Sequence, residues 1–325
     1  MPFHRTFECL WCGRAHTTLG ADDLEGFAQL CPDCIGRAGD NGFLRFRLKT
    51  ALAERAPALA PSSTSEPAGP PPSARGGPGG GADPREAELA AEMVAYYAAR
   101  APEYDDWYLR RGRYSRGPIH DMAWQSDLDA ATTWLDALPL RGEIVELAAG
   151  TGWWSPLLAE KGELWLYDAG EAPLDRARER LLAHGLRAHL HVRDAWDPPD
   201  RQVDAVFAGF WLSHVPRARI DEFLAIVRRW LRPGGIFAFI DSRDDPHSGA
   251  VDQAEPVGPD LVRRRLADGR EFRVTKVFYA PSELEAALEQ AGFAGARVRT
   301  TSRFFLLGAA TAGGSVPAGA GPGEL

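Results

Sequence analysis

The chain is 325 residues long, 45% hydrophobic with ten Trp, and carries a formal net charge of −8. That length holds one full domain and a smaller companion. The acidic balance excludes a protein that coats nucleic acid or an anionic membrane by bulk attraction. No run of about eighteen apolar residues occurs, and the N-terminus lacks a charged-then-apolar secretion layout, so a cytoplasmic protein without a membrane span is expected.

All four cysteines fall in two pairs, Cys9-Leu10-Trp11-Cys12 and Cys31-Pro32-Asp33-Cys34. Four thiolates are the ligand set of a structural tetrahedral Zn²⁺. The spacing predicts a zinc-ribbon-like module over 1–56, with metal binding as its source of folding free energy. Residues 42–56, where Phe43, Leu44 and Phe46 alternate with Arg45 and Arg47, read as a strand or short helix with a solvated basic side. Residues 57–84, with Pro70-Pro71-Pro72 and Gly79-Gly80-Gly81, cannot bury enough apolar surface to offset their ordering entropy and read as a disordered tether. Residues 309–325 read as a disordered tail of similar composition.

Between them, 85–308 form the main folding unit. Asp83-Pro84-Arg85-Glu86 opens a helix, and Leu89, Met93, Tyr96 and Tyr97 recur at helical spacing. An aromatic segment follows, Tyr97 through Tyr104, Trp107 and Tyr108 to Tyr114, and then a helix over 122–137. Ile144, Val145 and Leu147 form a short apolar strand that ends in Ala148-Ala149-Gly150-Thr151-Gly152. From there strands at 164–168, 188–192, 203–208 and 236–240 alternate with helices at 173–184 and 217–231. That alternation predicts an α/β, doubly wound, mostly parallel sheet. Further on, 259–267 reads as a helix, 272–279 as a strand, 281–291 as a helix, and 297–307 as one or two strands.

Ligands of such sheets lie beyond the carboxyl ends of the strands. Glu146, Asp168, Asp194 and Asp241 all fall at or just past those ends. Asp168 comes eighteen residues after Gly150, where a carboxylate can accept both hydroxyls of a ribose. Asp194-Ala195-Trp196 adds an acceptor for an exocyclic amine and an aromatic face. The turn lacks the third glycine of a dinucleotide fingerprint, which makes an NAD oxidoreductase a distant alternative.

Glu146 to Gly152, Asp168, Asp194-Ala195, the block Val203 to Ala208 and Leu231-Arg232-Pro233-Gly234-Gly235 resemble, in order and spacing, the motifs of class I S-adenosylmethionine-dependent methyltransferases. The resemblance covers most of 85–308 and implies a seven-stranded Rossmann-like sheet. It implies that Glu146, Ala148, Gly150 and Gly152, with Trp154 beyond them, cradle the methionine and ribose of S-adenosylmethionine. Asp168 would bind the ribose diol, Asp194, Ala195 and Trp196 the adenine, and Ala208, Gly209 and Phe210 would flank the sulfonium. Tyr97 and Tyr104 belong to a segment similar to the lid of such enzymes. Ala148 departs from the pattern, since many members have glycine there; alanine fits if its φ stays negative.

Methyl transfer needs alignment and exclusion of water, and a base only where the acceptor carries a proton. The Asn/Asp-Pro-Pro-aromatic signature of amine methylation is absent after the fourth strand. His214 is the best acid–base candidate; the alternative is a histidine bonded to loop backbone. Asp241, Arg243 and His247 are weaker candidates for substrate contact. The favoured reading is methyl transfer to a small-molecule acceptor, with oxygen one candidate atom. The alternatives are an RNA methyltransferase docking its substrate through the zinc module, and a cofactor-binding regulator without turnover whose zinc module contacts a protein partner. Neither a membrane partner nor a basic stripe for RNA is read from the sequence.

Overall fold

A computed structural model describes residues 6–8, 14–17, 84–252, 256–258 and 260–313. Contacts divide the chain into two units, Met1–Ala87 and Glu88–Leu325. In the first, β1 (Thr6–Glu8) and β2 (Ala15–Thr17) pair antiparallel, with Phe7 opposite His16. The four cysteines, the element expected at 42–56 and residues 57–83 of the tether lie outside the described residues.

The second unit is built on a seven-stranded sheet. Its strands are β3 (Glu143–Leu147), β4 (Glu163–Asp168), β5 (His189–Val192), β6 (Val203–Gly209), β7 (Leu231–Ser242), β11 (Phe293–Thr300) and β12 (Phe305–Ala312). Their order is β11-β12-β7-β6-β3-β4-β5, with β3 through β7 mutually parallel and β12 antiparallel to both β7 and β11. The helices are α1 (Pro84–Arg100), α2 (Tyr104–Leu109), α3 (Pro118–Ala137), α4 (Ser155–Ala159), α5 (Glu171–Ala183), α6 (Ile220–Trp230) and α7 (Pro281–Gln290).

Strand alternation divides the core into two faces. Val145, Leu147, Val206 and Ala208 point into one cluster, which Phe223, Leu224 and Val227 of α6 and Leu284 and Leu288 of α7 complete. Ile144, Ala205 and Phe207 point into the other, filled by α3 (Trp124, Leu128, Leu135), α4 (Leu158) and α5 (Leu174, Leu181). With helices on both faces, β3 is buried throughout apart from its first residue. Placement of α6 is helped by its charges: Asp221 and Glu222 lie in its first turn, Arg228 and Arg229 in its last, each complementing the helix dipole. Strand order reverses at β3, between β4 and β6, so the crevice at its carboxyl end is the topological switch point.

A second, antiparallel sheet joins β8 (Pro256–Gly258), β9 (Leu261–Arg265) and β10 (Glu271–Thr275) in the order β10-β9-β8. The sequence expectation of a helix over 259–267 is corrected here. Val262 and Arg264 alternate with Arg263 and Arg265, and pairing of Val262 with Val274 and Arg264 with Phe272 settles the strand. Met93 and Tyr96 of α1 pack with Leu266 and Val274 in a small third cluster. The tail expected from 309 is corrected too, because β12 continues to Ala312 and pairs with β7 through Thr311. Among the described residues no helix is long and apolar enough to cross a membrane.

Candidate active site

The glycine turn follows β3 directly. Gly150 and Gly152 take φ values of +56° and +71°, which glycine adopts without a Cβ penalty. Ala148 has φ +50°, so the expectation of a negative φ there is overturned. Alanine in this left-handed region costs about 1–2 kcal/mol. Ala148→Gly is therefore expected to stabilise the protein by up to about 1 kcal/mol after the glycine's larger unfolded-state entropy is deducted. Thermal unfolding should show a rise of about 2–4 °C; an unchanged or lower midpoint would count against strain at this position.

Asp168 closes the turn from β4. Its Oδ2 accepts the Gly150 N–H and its Oδ1 the Gly170 N–H, each at 2.8 Å, so one carboxylate fixes two backbone segments around itself. Burial pushes its pKa up to about 6, against the pull of those two amide donors. Asp194 lies beyond β5, accepts the Trp196 N–H at 3.0 Å, and is also raised chiefly by burial. These residues line a cavity enclosing about 790 Å³ of empty space, part of it open to solvent.

Two other elements complete this cavity. From α1 come Ala90, Met93, Val94 and Tyr97, at the i, i+3, i+4, i+7 spacing of one helix face. From the end of β6 come Gly209, Phe210 and Trp211. Phe210 has φ +57°, an uncommon conformation for a bulky residue and one that clusters at functional sites. The short helix α2 is strapped to the turn: Asp105 accepts the Thr151 hydroxyl at 3.0 Å and pairs with Arg180 of α5, whose Nε donates to the Thr151 carbonyl at 3.1 Å.

A second cavity of about 500 Å³ shares Tyr97, Tyr104, Phe210 and His214 with the first, and Arg100, Arg264 and Lys276 line its remaining walls. At the boundary, His214 Nδ1 lies 2.6 Å from the Thr275 carbonyl oxygen, and Nε2 lies 2.6 Å from the Tyr97 hydroxyl. A carbonyl can only accept, so Nδ1 carries the proton and Nε2 accepts from Tyr97. Burial, with Lys276 nearby, holds the imidazole pKa well below the usual histidine range, so the ring is neutral.

Of the residues expected from sequence, Tyr97, Tyr104, Ala148, Gly150, Asp168, Asp194, Ala195, Trp196, Gly209, Phe210 and His214 line the first cavity. Glu146, Gly152, Trp154 and Ala208 do not. Glu146 is buried beneath the turn, accepts the Ser155 hydroxyl at 2.5 Å, and has its pKa pushed up to about 8, mainly by burial. Its work is to anchor the start of α4. Gly152 is pressed against α5, where a Cβ would come within 2.7 Å of the Ala177 Cβ. The Trp154 ring packs against Gly209, and the Ala208 side chain belongs to the core on the α6 face. Of the weaker candidates, Asp241 is buried and accepts the Ser213 N–H at 2.8 Å, and His247 stacks on His120 at 3.9 Å. The sequence reading did not assign Ala90, Met93, Val94, Ala169, Gly170, Pro173 and Trp211 to the site; for the three on α1, helical periodicity carried the signal.

Comparison with known proteins gives a consistent picture. A family described as "Methyltransferase domain" matches residues 144–235. The solved DhpI–SAH complex is 33% identical, with a TM-score of 0.56, covering 70% of this chain and 98% of that one. A DhpI–SAM–HEP complex is also 33% identical, with a TM-score of 0.55, covering 68% of this chain and 97% of that one. Among curated proteins, the ubiquinone/menaquinone biosynthesis C-methyltransferase UbiE of Bordetella avium (strain 197N) is 35% identical over 99 residues, 29% of this chain. The UbiE of Burkholderia mallei (strain SAVP1) is 30% identical over 156 residues, 46% of this chain. The chain spans 38% and 60% of the lengths of these two relatives.

Proposed function

Because the chain belongs to the class I S-adenosylmethionine-dependent methyltransferases, we propose that it transfers the methyl group to an oxygen of a small-molecule acceptor held in the second cavity. The observation carrying this reading is the pair of cavities sharing one wall of Tyr97, Tyr104, Phe210 and His214.

The first cavity suits the methyl donor by the chemistry of its donors and acceptors. Asp168 offers a carboxylate to the ribose diol, its orientation already set by the Gly150 and Gly170 amides. Asp194 offers an acceptor to the adenine amine, and Ala195 and Trp196 supply apolar area beside it. When bound, the donor supplies an activated methyl on a sulfonium sulfur. Gly209 and Phe210 at the tip of β6 would flank that sulfur, with α1 and the strapped α2 walling the same cavity.

In this reading His214 is a positioning residue. Both ring nitrogens are already engaged, and its depressed pKa makes it a weak base. It aims the Tyr97 hydroxyl at the boundary between the cavities. His214→Ala is expected to lower turnover by about fivefold, the worth of one hydrogen bond. The shape of the pH–rate profile should not change; loss of its ascending limb would instead make His214 the base.

Cys9, Cys12, Cys31 and Cys34 are assigned a structural zinc on the strength of their paired spacing. The function is tested by incubating full-length protein with labelled S-adenosylmethionine and separate small-molecule, RNA and protein fractions. Label entering a small molecule at an alkali- or acid-cleavable oxygen supports the proposal. Label entering only RNA, or a carbon atom, overturns it.

A further inference from the structure

The Asp194–Trp196 side of the first cavity leans on a residue outside it. Trp196 lines the cavity, and its indole is gripped by two residues four apart at the entrance to α6. The guanidinium carbon of Arg219 stands 4.0 Å from the ring centroid. Phe223, fully buried, meets the same ring edge-on with centroids 5.5 Å apart. Glu222 fixes the guanidinium in place, accepting from Nε at 2.8 Å and from Nη2 at 2.9 Å. Arg219 itself is not among the residues that line the cavity.

The helix has no use of its own for an arginine here. Arg219 is the N-cap residue of α6, its side chain makes no cap hydrogen bond, and its positive charge opposes the helix dipole. A residue that works against its own helix while stacked on a cavity wall breaks a local rule, and such breaches concentrate at functional sites. Its charge also reaches Asp194. Burial raises that carboxyl's pKa most, with Asp197 adding to the rise, while the Trp196 N–H and Arg219 oppose it. The other charged groups near this carboxylate are Asp168 and, paired with Asp197 at 3.4 Å, Arg193. Asp194 Oδ1 accepts the Trp196 N–H at 3.0 Å, so carboxylate and indole belong to one turn.

We propose that Arg219 is a positioning residue for the methyl donor: from outside the cavity it holds the Trp196 indole and faces the Asp194 carboxylate with positive charge, and so sets the preference for adenine over a purine with a carbonyl at C6. The proposal rests on the placing of the donor in the first cavity given above. An ionised Asp194 accepts from the C6 amine of adenine and repels the C6 oxygen of hypoxanthine, whereas a protonated one can donate to that oxygen.

The test is calorimetric titration of the full-length protein with S-adenosylhomocysteine and with S-inosylhomocysteine, which differ at C6, across a range of pH at low salt. Wild-type protein is expected to prefer the adenine ligand by about tenfold or more at neutral pH. The preference should fade as pH falls and Asp194 takes up a proton. Asp168 titrates as well, but both ligands carry the same ribose, so its effect cancels in the ratio of affinities. Arg219→Met should weaken S-adenosylhomocysteine binding by about fivefold and move the fading of the preference to higher pH. Arg219→Lys, which returns the charge without the planar stack, should restore the pH position and only part of the affinity. Thermal unfolding reports whether each variant is folded; if Arg219→Met is not, Arg219→Gln decides by the same two readouts. A preference that fades at the wild-type pH in the deciding variant overturns the proposal whatever the affinity does, because a merely structural role weakens both ligands alike. Wild-type protein that binds the two ligands equally at every pH overturns the assignment of Asp194 to the adenine amine, and this proposal with it. Wild-type protein that binds neither overturns the methyl-transfer reading itself.

Discussion

Replacing Asp168 with alanine is expected to weaken S-adenosylhomocysteine binding by at least about a hundredfold. Two hydrogen bonds from a ribose diol to a carboxylate are worth about 1.5–3 kcal/mol each, and about 2.7 kcal/mol already corresponds to a hundredfold. The substitution also strips the Gly150 and Gly170 amides of their acceptor, so the turn loses the group that holds it to β4. Calorimetry on the folded variant measures the loss; one smaller than about tenfold would remove Asp168 from the ribose site. The carboxylate also sets a pH dependence. Burial raises its pKa to about 6 in the free protein, and a diol donates best to the ionised form. Thioether affinity should therefore be level above about pH 6 and fall below it, by up to tenfold per unit. Stability of the free protein runs the other way. The folded state holds this proton more tightly than the unfolded chain, so the Asp168 contribution is full below about pH 4 and is lost as pH rises through about 6. Asp168→Asn should flatten both profiles.

Gly152→Ala is expected to destabilise the protein by about 3 kcal/mol, a sum of two separate costs. Alanine at φ +71° pays about 1–2 kcal/mol for the left-handed backbone. The added methyl would stand 2.7 Å from the Ala177 Cβ, 2.9 Å from its Cα and 3.0 Å from the Ser155 Oγ. Since the second contact is backbone of α5, relief requires the helix itself to shift, and overpacking of this kind adds about 1–3 kcal/mol. Thermal denaturation should show a midpoint lower by roughly 6–12 °C. The thioether should bind less well too, because α5 carries the Arg180 that fixes Asp105 and Thr151. A variant as stable as the parent would mean that turn and helix are less tightly apposed.

Ala148 bears on the same turn, and it shows where reading the sequence stops. Strand, small-residue turn and the carboxylate one unit later follow from local rules, and Gly150, Asp168 and Asp194, expected at the strand ends, all line the first cavity. The φ of Ala148 was not, because backbone sign at one residue depends on how the whole turn closes. Glu146 and Trp154 fall within the familiar motif yet line neither cavity: Glu146 bonds to Ser155, and the Trp154 ring packs behind Gly209. Strand β9 hid behind a composition that tolerates helix, and its state was decided by a partner strand that follows it. The cationic cavity was out of reach for a similar reason. Arg100, Arg264 and Lys276 come from a helix end, a strand and a segment beyond another strand, and no spacing rule links them.

The aromatic wall between the two cavities has a thermodynamic consequence. A partition that both occupants press against cannot be insulated from either, so each occupant changes the surface offered to the other. Such coupling is reciprocal: whatever factor the donor adds to the affinity of a second occupant, that occupant returns to the donor's. The spent thioether should thus leave more slowly while the neighbouring chamber is full if the coupling is favourable, and the order in which the two chambers empty becomes a property of four side chains, Tyr97, Tyr104, Phe210 and His214.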